Sequence, residues 1–125
     1  MGKWRKAPPA LIETFLKAIP DDPRIEHRQM FGYPAAFIDG NLFAGLHQET
    51  FMLRLSEADR DRARNDLGAE TFEPMPGRAM REYMALPEPV IAERDELGEW
   101  VERSIAYAAS LPPKALKPRK RGKAG

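Results

Sequence analysis

The sequence predicts an α+β domain in which one antiparallel sheet of about five strands carries helices mainly on one face. Helical periodicity occurs near both ends of the chain and once between them, and the strand-like segments follow one another in two runs. Within each run the connections are short, which indicates antiparallel pairing because parallel strands need a crossover, usually a helix. A chain of 125 residues is long enough for one such domain with an ordinary core.

The first helix is expected in residues 7–20, "APPALIETFLKAIP". Its apolar side chains recur at i, i+1, i+4, i+5 and i+8, which forms one stripe on a helix. They are Leu11, Ile12, Phe15, Leu16 and Ile19. Two prolines suit the helix start and Pro20 ends it.

The first run of strands begins with residues 24–32, whose loose alternation fits a strand, and continues with "AAFID" and "NLFAGLH". The latter two are joined by Asp39 and Gly40, a strong hairpin signal because a type I′ turn needs positive φ at both central residues. Gly40 and Gly45 also have the spacing of a phosphate-binding loop. However, Leu46 and His47 replace the Lys and Ser or Thr that such a loop requires, so we favour a hairpin, with Gly45 at a bulge or a close packing contact.

A further strand, "TFMLRL", ends the first run. Its alternation places Phe51, Leu53 and Leu55 on one face and Met52 and Arg54 on the other.

A second helix is expected in "SEADRDRARNDLG", capped by Ser56 at its start and ended by Gly68. Two short strands around a turn at residues 76–78 and a helical turn in "EPVIAE" follow. The final helix, "DELGEWVERSIAYAASL", keeps a stripe at i, i+3, i+4, i+7, i+8 and i+11. The stripe consists of Leu97, Trp100, Val101, Ser104, Ile105 and Ala108.

Composition excludes several classes of function. The chain has no cysteine, which rules out disulfides and thiolate chemistry, and no apolar run of the length of a membrane span. The N-terminus has no secretory pattern, so we expect a cytoplasmic protein without a membrane partner.

No catalytic, metal-binding or cofactor-binding site is predicted. His27 and His47 are the only histidines, and we interpret them as partly exposed residues at strand ends. Ser56, Ser104 and Ser110 stand in no nucleophile motif, so we expect no enzymatic activity, although an enzyme with an unrecognised site stays the third hypothesis. The strand aromatics have few basic residues between them, which favours core packing over a nucleic-acid platform. These are Phe31, Tyr33, Phe37, Phe43 and Phe51.

Charge divides the chain into a folded domain over residues 1–111 and a basic tail over 112–125, which we expect to be disordered. The first part holds all 19 acidic residues and 14 basic ones. The tail holds six cations and no acid, which suits weak, non-specific contact with a nucleic acid. The candidate polyanion-binding residues are Lys114, Lys117, Arg119, Lys120, Arg121 and Lys123.

Several short motifs between residues 28 and 109 together resemble the TfoX N-terminal domain family. The similar stretches are "RQMFGYPAAFIDGNLFAG", "FMLRLSEADR", "FEPMPGRAMREYMALPEPV" and "ELGEWVERSIAYA". The residues that carry the resemblance are Met30-Phe31-Gly32, Asp39-Gly40, Leu42-Phe43-Ala44, Tyr83 with Pro87, and Leu97 with Trp100. Tyr33 stands where the family often has a second glycine, and the basic tail stands where the competence regulators carry a second domain.

The resemblance implies a secretion-chaperone-like α+β fold and a role in transcriptional regulation beside a DNA-binding partner. The resemblance implies no catalytic residues. We therefore expect a single-domain regulatory or interaction module that acts through a protein partner such as a transcription factor, or as a homodimer. The alternative is a weak nucleic-acid binder that acts through its tail.

Overall fold

The computed structural model describes residues 7–30 and 32–114. Within them, four helices and six strands follow one another in the predicted order, with a π-helical turn, Ala63–Leu67, after the second helix. The helices are α1 (Pro9–Ala18), α2 (Glu57–Arg62), α3 (Glu88–Ala92) and α4 (Arg94–Ser110). The strands are β1 (Ile25–Met30), β2 (Tyr33–Ile38), β3 (Asn41–His47), β4 (Thr50–Arg54), β5 (Glu70–Phe72) and β6 (Met80–Ala85).

The six described strands form one antiparallel sheet in the order β1-β2-β3-β4-β6-β5. The α+β class is therefore confirmed, with one strand more than the predicted five or so. The first four strands are sequential neighbours with short connections. By contrast, β6 inserts between β4 and β5, because the chain leaves β4 through α2 and returns at the edge of the sheet.

The predicted hairpin joins β2 to β3. Ile38 pairs with Asn41, which leaves Asp39 and Gly40 as a two-residue turn with φ of 52° and 81°. Both values are positive, as a type I′ turn requires. The stretch that has glycines at phosphate-loop spacing is thus a hairpin.

Helices α1 and α4 lie against one face of the sheet, which we call the helix face. All six residues of the stripe predicted for α4 are buried. Trp100 is 6% exposed, and Phe15 of α1 packs against Phe51 of β4 with ring centroids 5.3 Å apart. As predicted, the Phe51, Leu53 and Leu55 side chains belong to this core.

The predicted Ser56 cap of the second helix is confirmed, but the α-helical part, Glu57–Arg62, is shorter than expected. The Ser56 hydroxyl accepts a hydrogen bond from the Asp59 N–H at 3.3 Å. The α-helix gives way to the π-helical turn, and Gly68 ends it in the left-handed region at φ 73°. Ala63 is buried here among charged neighbours, so tertiary packing of a narrow face holds this segment.

Candidate functional site

The face of the sheet opposite α1 and α4 is apolar, and we call it the open face. Its buried side chains are Ala35, Leu42, Met52 and Phe72, with Met30, Phe37, Met80 and Tyr83 packed around them. Strand alternation creates this second apolar surface, since β4 sends Phe51 and Leu53 to the helix face and Met52 to the open face. A sheet with only one buried face would instead show polar residues there.

A pocket of about 690 Å³ lies at one end of the open face, beside the β5–β6 connection. Four methionines, from β1, β4, β6 and the connection, contribute to its wall, so we call it the methionine pocket. Its lining consists of Met30, Tyr33, Leu46, His47, Gln48, Met52, Phe72, Pro74, Met75, Arg78, Ala79 and Met80. Thioether side chains adapt to irregular ligands, so this wall can adjust its shape.

Three rings stand in a row along the pocket. The His47 ring lies 5.4 Å from the Tyr33 ring and 5.7 Å from the Phe72 ring, between centroids. His47 is placed there because β3 ends with it and turns into β4 through Gln48, which has φ 56°. The turn contains neither glycine nor asparagine, so no residue pattern predicted a hairpin there.

Gly45 provides space for a pocket methionine. A Cβ atom at Gly45 would lie 2.9 Å from the Met52 Cε atom and 3.7 Å from the Ala35 Cβ atom. The register shift between β2 and β3 lies elsewhere, between Ala36 and Phe37. Of the two explanations offered for Gly45, the close packing contact is the one confirmed.

Arg78 is the only permanently charged side chain among the residues that line the methionine pocket. Its guanidinium makes no hydrogen bond or ion pair with any side chain in the described part of the chain. Its backbone is fixed by a turn, since the Arg78 N–H donates to the Met75 carbonyl at 2.9 Å. The Gly77 N–H donates to the Glu73 carboxylate at 2.6 Å, which holds the same connection together.

A polar cluster around Arg54 lies toward the other end of the open face. Arg54 pairs with Glu82 at 2.7 Å and lies over the rings of Tyr83 and Tyr107, at 5.6 and 5.9 Å from their centroids. The Tyr83 hydroxyl donates to the Leu42 carbonyl at 3.1 Å. Burial raises the pKa of Tyr83, so the phenol stays neutral and keeps this bond.

The predicted tail site is reached by the structure only at its first residue. Lys114 is exposed, and its N–H donates to the Asp39 carbonyl at 2.7 Å. The remaining candidates, Lys117, Arg119, Lys120, Arg121 and Lys123, lie outside the described residues. Polyanion binding by the tail therefore stays a prediction.

The histidines and serines have separate surroundings. His27 is exposed in the middle of edge strand β1, not at a strand end as expected, and His47 ends β3 two strands away. The Ser104 hydroxyl is buried 2.7 Å from the carbonyls of both Phe43 and Arg54, where it bridges α4 to the sheet. Across residues 7–30 and 32–114 no three His, Asp or Glu side chains form a group that could hold a metal ion.

Sequence reasoning missed the methionine pocket. Met30, Met52, Met75 and Met80 come from four separate segments, and no local period connects them. One signal was available in the sequence: Met52, an apolar residue, stands on the face of β4 opposite Phe51 and Leu53. Other methionines occur in segments that were predicted to be strands or turns. Only the strand order shows that these segments meet.

The comparison with protein families matches residues 16–108 to the model described as the TfoX N-terminal domain. None of the curated proteins compared with the chain matches it. Among the described residues no helix is both long and apolar enough to cross a membrane. Because the family match includes all six described strands, α2, α3 and nearly all of α4, and spans most of the 125 residues, this chain belongs to the TfoX N-terminal domain family.

Proposed function

We propose that this domain is a non-catalytic interaction module that binds a protein partner through the open face and acts with it in transcriptional regulation. The observation that carries the proposal is the apolar open face, which neither α1 nor α4 covers. The centre of this face is buried, but the apolar side chains around it, Met30, Phe37, Met80 and Tyr83, are only partly buried. They expose apolar area that a partner can cover, as at many interaction sites. The regulatory part of the proposal comes from the family, whose competence regulators act beside DNA-binding partners, and it implies a cytoplasmic location.

The exposed rim of the open face offers the contact point. Met75 is 54% exposed at the mouth of the methionine pocket. Among the described residues, Leu16 on α1 is the other large apolar side chain exposed to this degree, at 51%. It belongs to a helix that covers the opposite face, so the two residues form a matched pair for testing which side of the molecule binds.

The test is affinity capture from the native host with the full chain, with Met75→Glu and with Leu16→Glu, each with and without nuclease. We expect a protein partner that survives nuclease, is lost with Met75→Glu and is retained with Leu16→Glu. Both substitutions replace exposed side chains, so both variants should fold. A partner retained by Met75→Glu and lost with Leu16→Glu would place the interface on the helix side and contradict the proposal.

Two other results would point elsewhere. Loss of the partner with nuclease in all three proteins would favour the alternative function, a nucleic-acid contact through the basic tail. If the only captured partner is the chain itself, light scattering of the purified protein should show a dimer that Met75→Glu dissociates, and the module is then a homodimer.

A further inference from the structure

We propose that the methionine pocket is a binding site for a small molecule that has an apolar body and a single carboxylate. This inference is independent of the proposed function, because it concerns the purified chain and holds whether or not a partner docks on the open face. The volume of about 690 Å³ lies in the range of roughly 300–1,000 Å³ typical of ligand pockets.

The wall of the pocket selects for an apolar body. Most of its lining side chains are thioethers, rings or aliphatic groups, and the row of Tyr33, His47 and Phe72 offers ring edges and faces along one side. Thioethers also bind soft metal ions such as Cu(I). However, the volume is far larger than a bare ion requires, and the cation at its mouth would oppose a second positive charge.

The charge at the mouth selects for an anion. Arg78 is the one permanently charged residue of the lining, which contains no Asp or Glu. Within the described residues, the Arg78 guanidinium has no partner side chain. The nearby Glu73 carboxylate already accepts the Gly77 N–H at 2.6 Å. A guanidinium presents paired N–H donors that match the two oxygens of a carboxylate, which completes the recognition of one end of the ligand.

The single cation also limits the ligand's charge. Phosphate groups of nucleotides are usually held by several backbone N–H groups of a glycine-rich loop or helix start, together with lysine or arginine. The glycines at phosphate-loop spacing, Gly40 and Gly45, belong instead to a hairpin turn and a packing contact. One arginine beside an apolar cavity therefore fits a monocarboxylate better than a nucleotide.

The test uses the full chain labelled at the methionine methyl groups and titrated with decanoate below its micellar concentration. We expect shifted methyl resonances for Met30, Met52, Met75 and Met80. Met84 is fully buried on the helix face and provides an internal control, so its resonance should not move. The cationic analogue decyltrimethylammonium has the same apolar chain and should bind at least several-fold more weakly.

Two variants isolate the charge. Arg78→Gln should weaken decanoate binding by about three- to ten-fold while the same methyl groups still respond, because the apolar wall is intact. Arg62→Gln removes the same charge from an exposed position on α2 and should leave the affinity unchanged.

Three results would overturn the proposal. One is the absence of any methyl shift at the four pocket methionines. Another is a shift that includes Met84, which would indicate a general detergent effect. The third is equal binding of the two probes, or an unchanged decanoate affinity in Arg78→Gln, either of which would leave an apolar cavity without selectivity for anions.

Discussion

Gly40 lies at the tip of the β2–β3 hairpin, which contacts residues 112–114 after the end of α4. The Lys114 N–H donates to the Asp39 carbonyl at 2.7 Å, and the Asn41 side-chain amide donates to the Pro112 carbonyl at 3.1 Å. A Cβ atom built on Gly40 would coincide with the Lys114 carbonyl group. We therefore expect Gly40→Ala to destabilise the domain in two ways, through backbone strain and through displacement of residues 112–114.

The two contributions have separate magnitudes. Gly40 has φ 81°, and a left-handed backbone conformation costs an L-residue roughly 1–2 kcal/mol. Moving residues 112–114 away breaks up to two hydrogen bonds, each worth about 0.5–1.5 kcal/mol. With both hydrogen bonds lost, the total expected loss in the free energy of unfolding is therefore about 2–5 kcal/mol.

Two other glycines provide matched controls for the strain alone. Gly68 has φ 73° and Gly77 has φ 78°, and a Cβ atom at either would meet nothing within 4 Å. Gly68→Ala and Gly77→Ala should therefore cost only about 1–2 kcal/mol each. Urea unfolding of the three variants measures the loss in the free energy of unfolding caused by each substitution. If Gly40→Ala costs no more than Gly77→Ala, the segment after α4 does not rest on the hairpin, and if it costs nothing, the turn geometry is wrong.

Three further predictions concern a buried hydroxyl, a carboxylate and the tail. Ser104→Ala should lower the free energy of unfolding by about 1–3 kcal/mol because it removes the one buried hydroxyl donor shared by the Phe43 and Arg54 carbonyls, whereas Ser110→Ala, at an exposed site, should have little effect in the same urea assay. Hydrogen bonds from Arg24 hold the pKa of Asp22 to about 2 rather than the usual 3.8, so the pair's contribution to stability is present above about pH 4 and is lost as the pH falls toward 2. Arg24→Gln should raise that pKa in an NMR titration of the carboxyl carbon, and an unchanged value would contradict the pairing. If residues 114–125 bind duplex DNA, log K should fall with log salt at a slope of up to about −5, and equal affinity of intact and truncated protein would refute a role for the tail.

Local sequence determined those features that depend on neighbours along the chain. The apolar stripe of α4 is buried at every predicted position because a 3.6-residue period requires one face of the helix to meet the core. The turn at Asp39-Gly40 followed from two residues that tolerate positive φ, and the start of α2 followed from the Ser56 hydroxyl. In each case the physical cause acts over a few residues and can be recognised in the sequence.

Tertiary structure alone decided which distant segments meet. Strand order places β6 between β4 and β5, and thereby brings methionines from four segments around one pocket. The tertiary structure also places the Lys114 carbonyl against Gly40. A side chain at this position is therefore disfavoured by steric overlap as well as by the positive φ of the turn. These juxtapositions arise from long-range pairing and from the packing of helices on only one face of the sheet. No local period or turn signal encodes them, because every strand would have the same alternation in any other order.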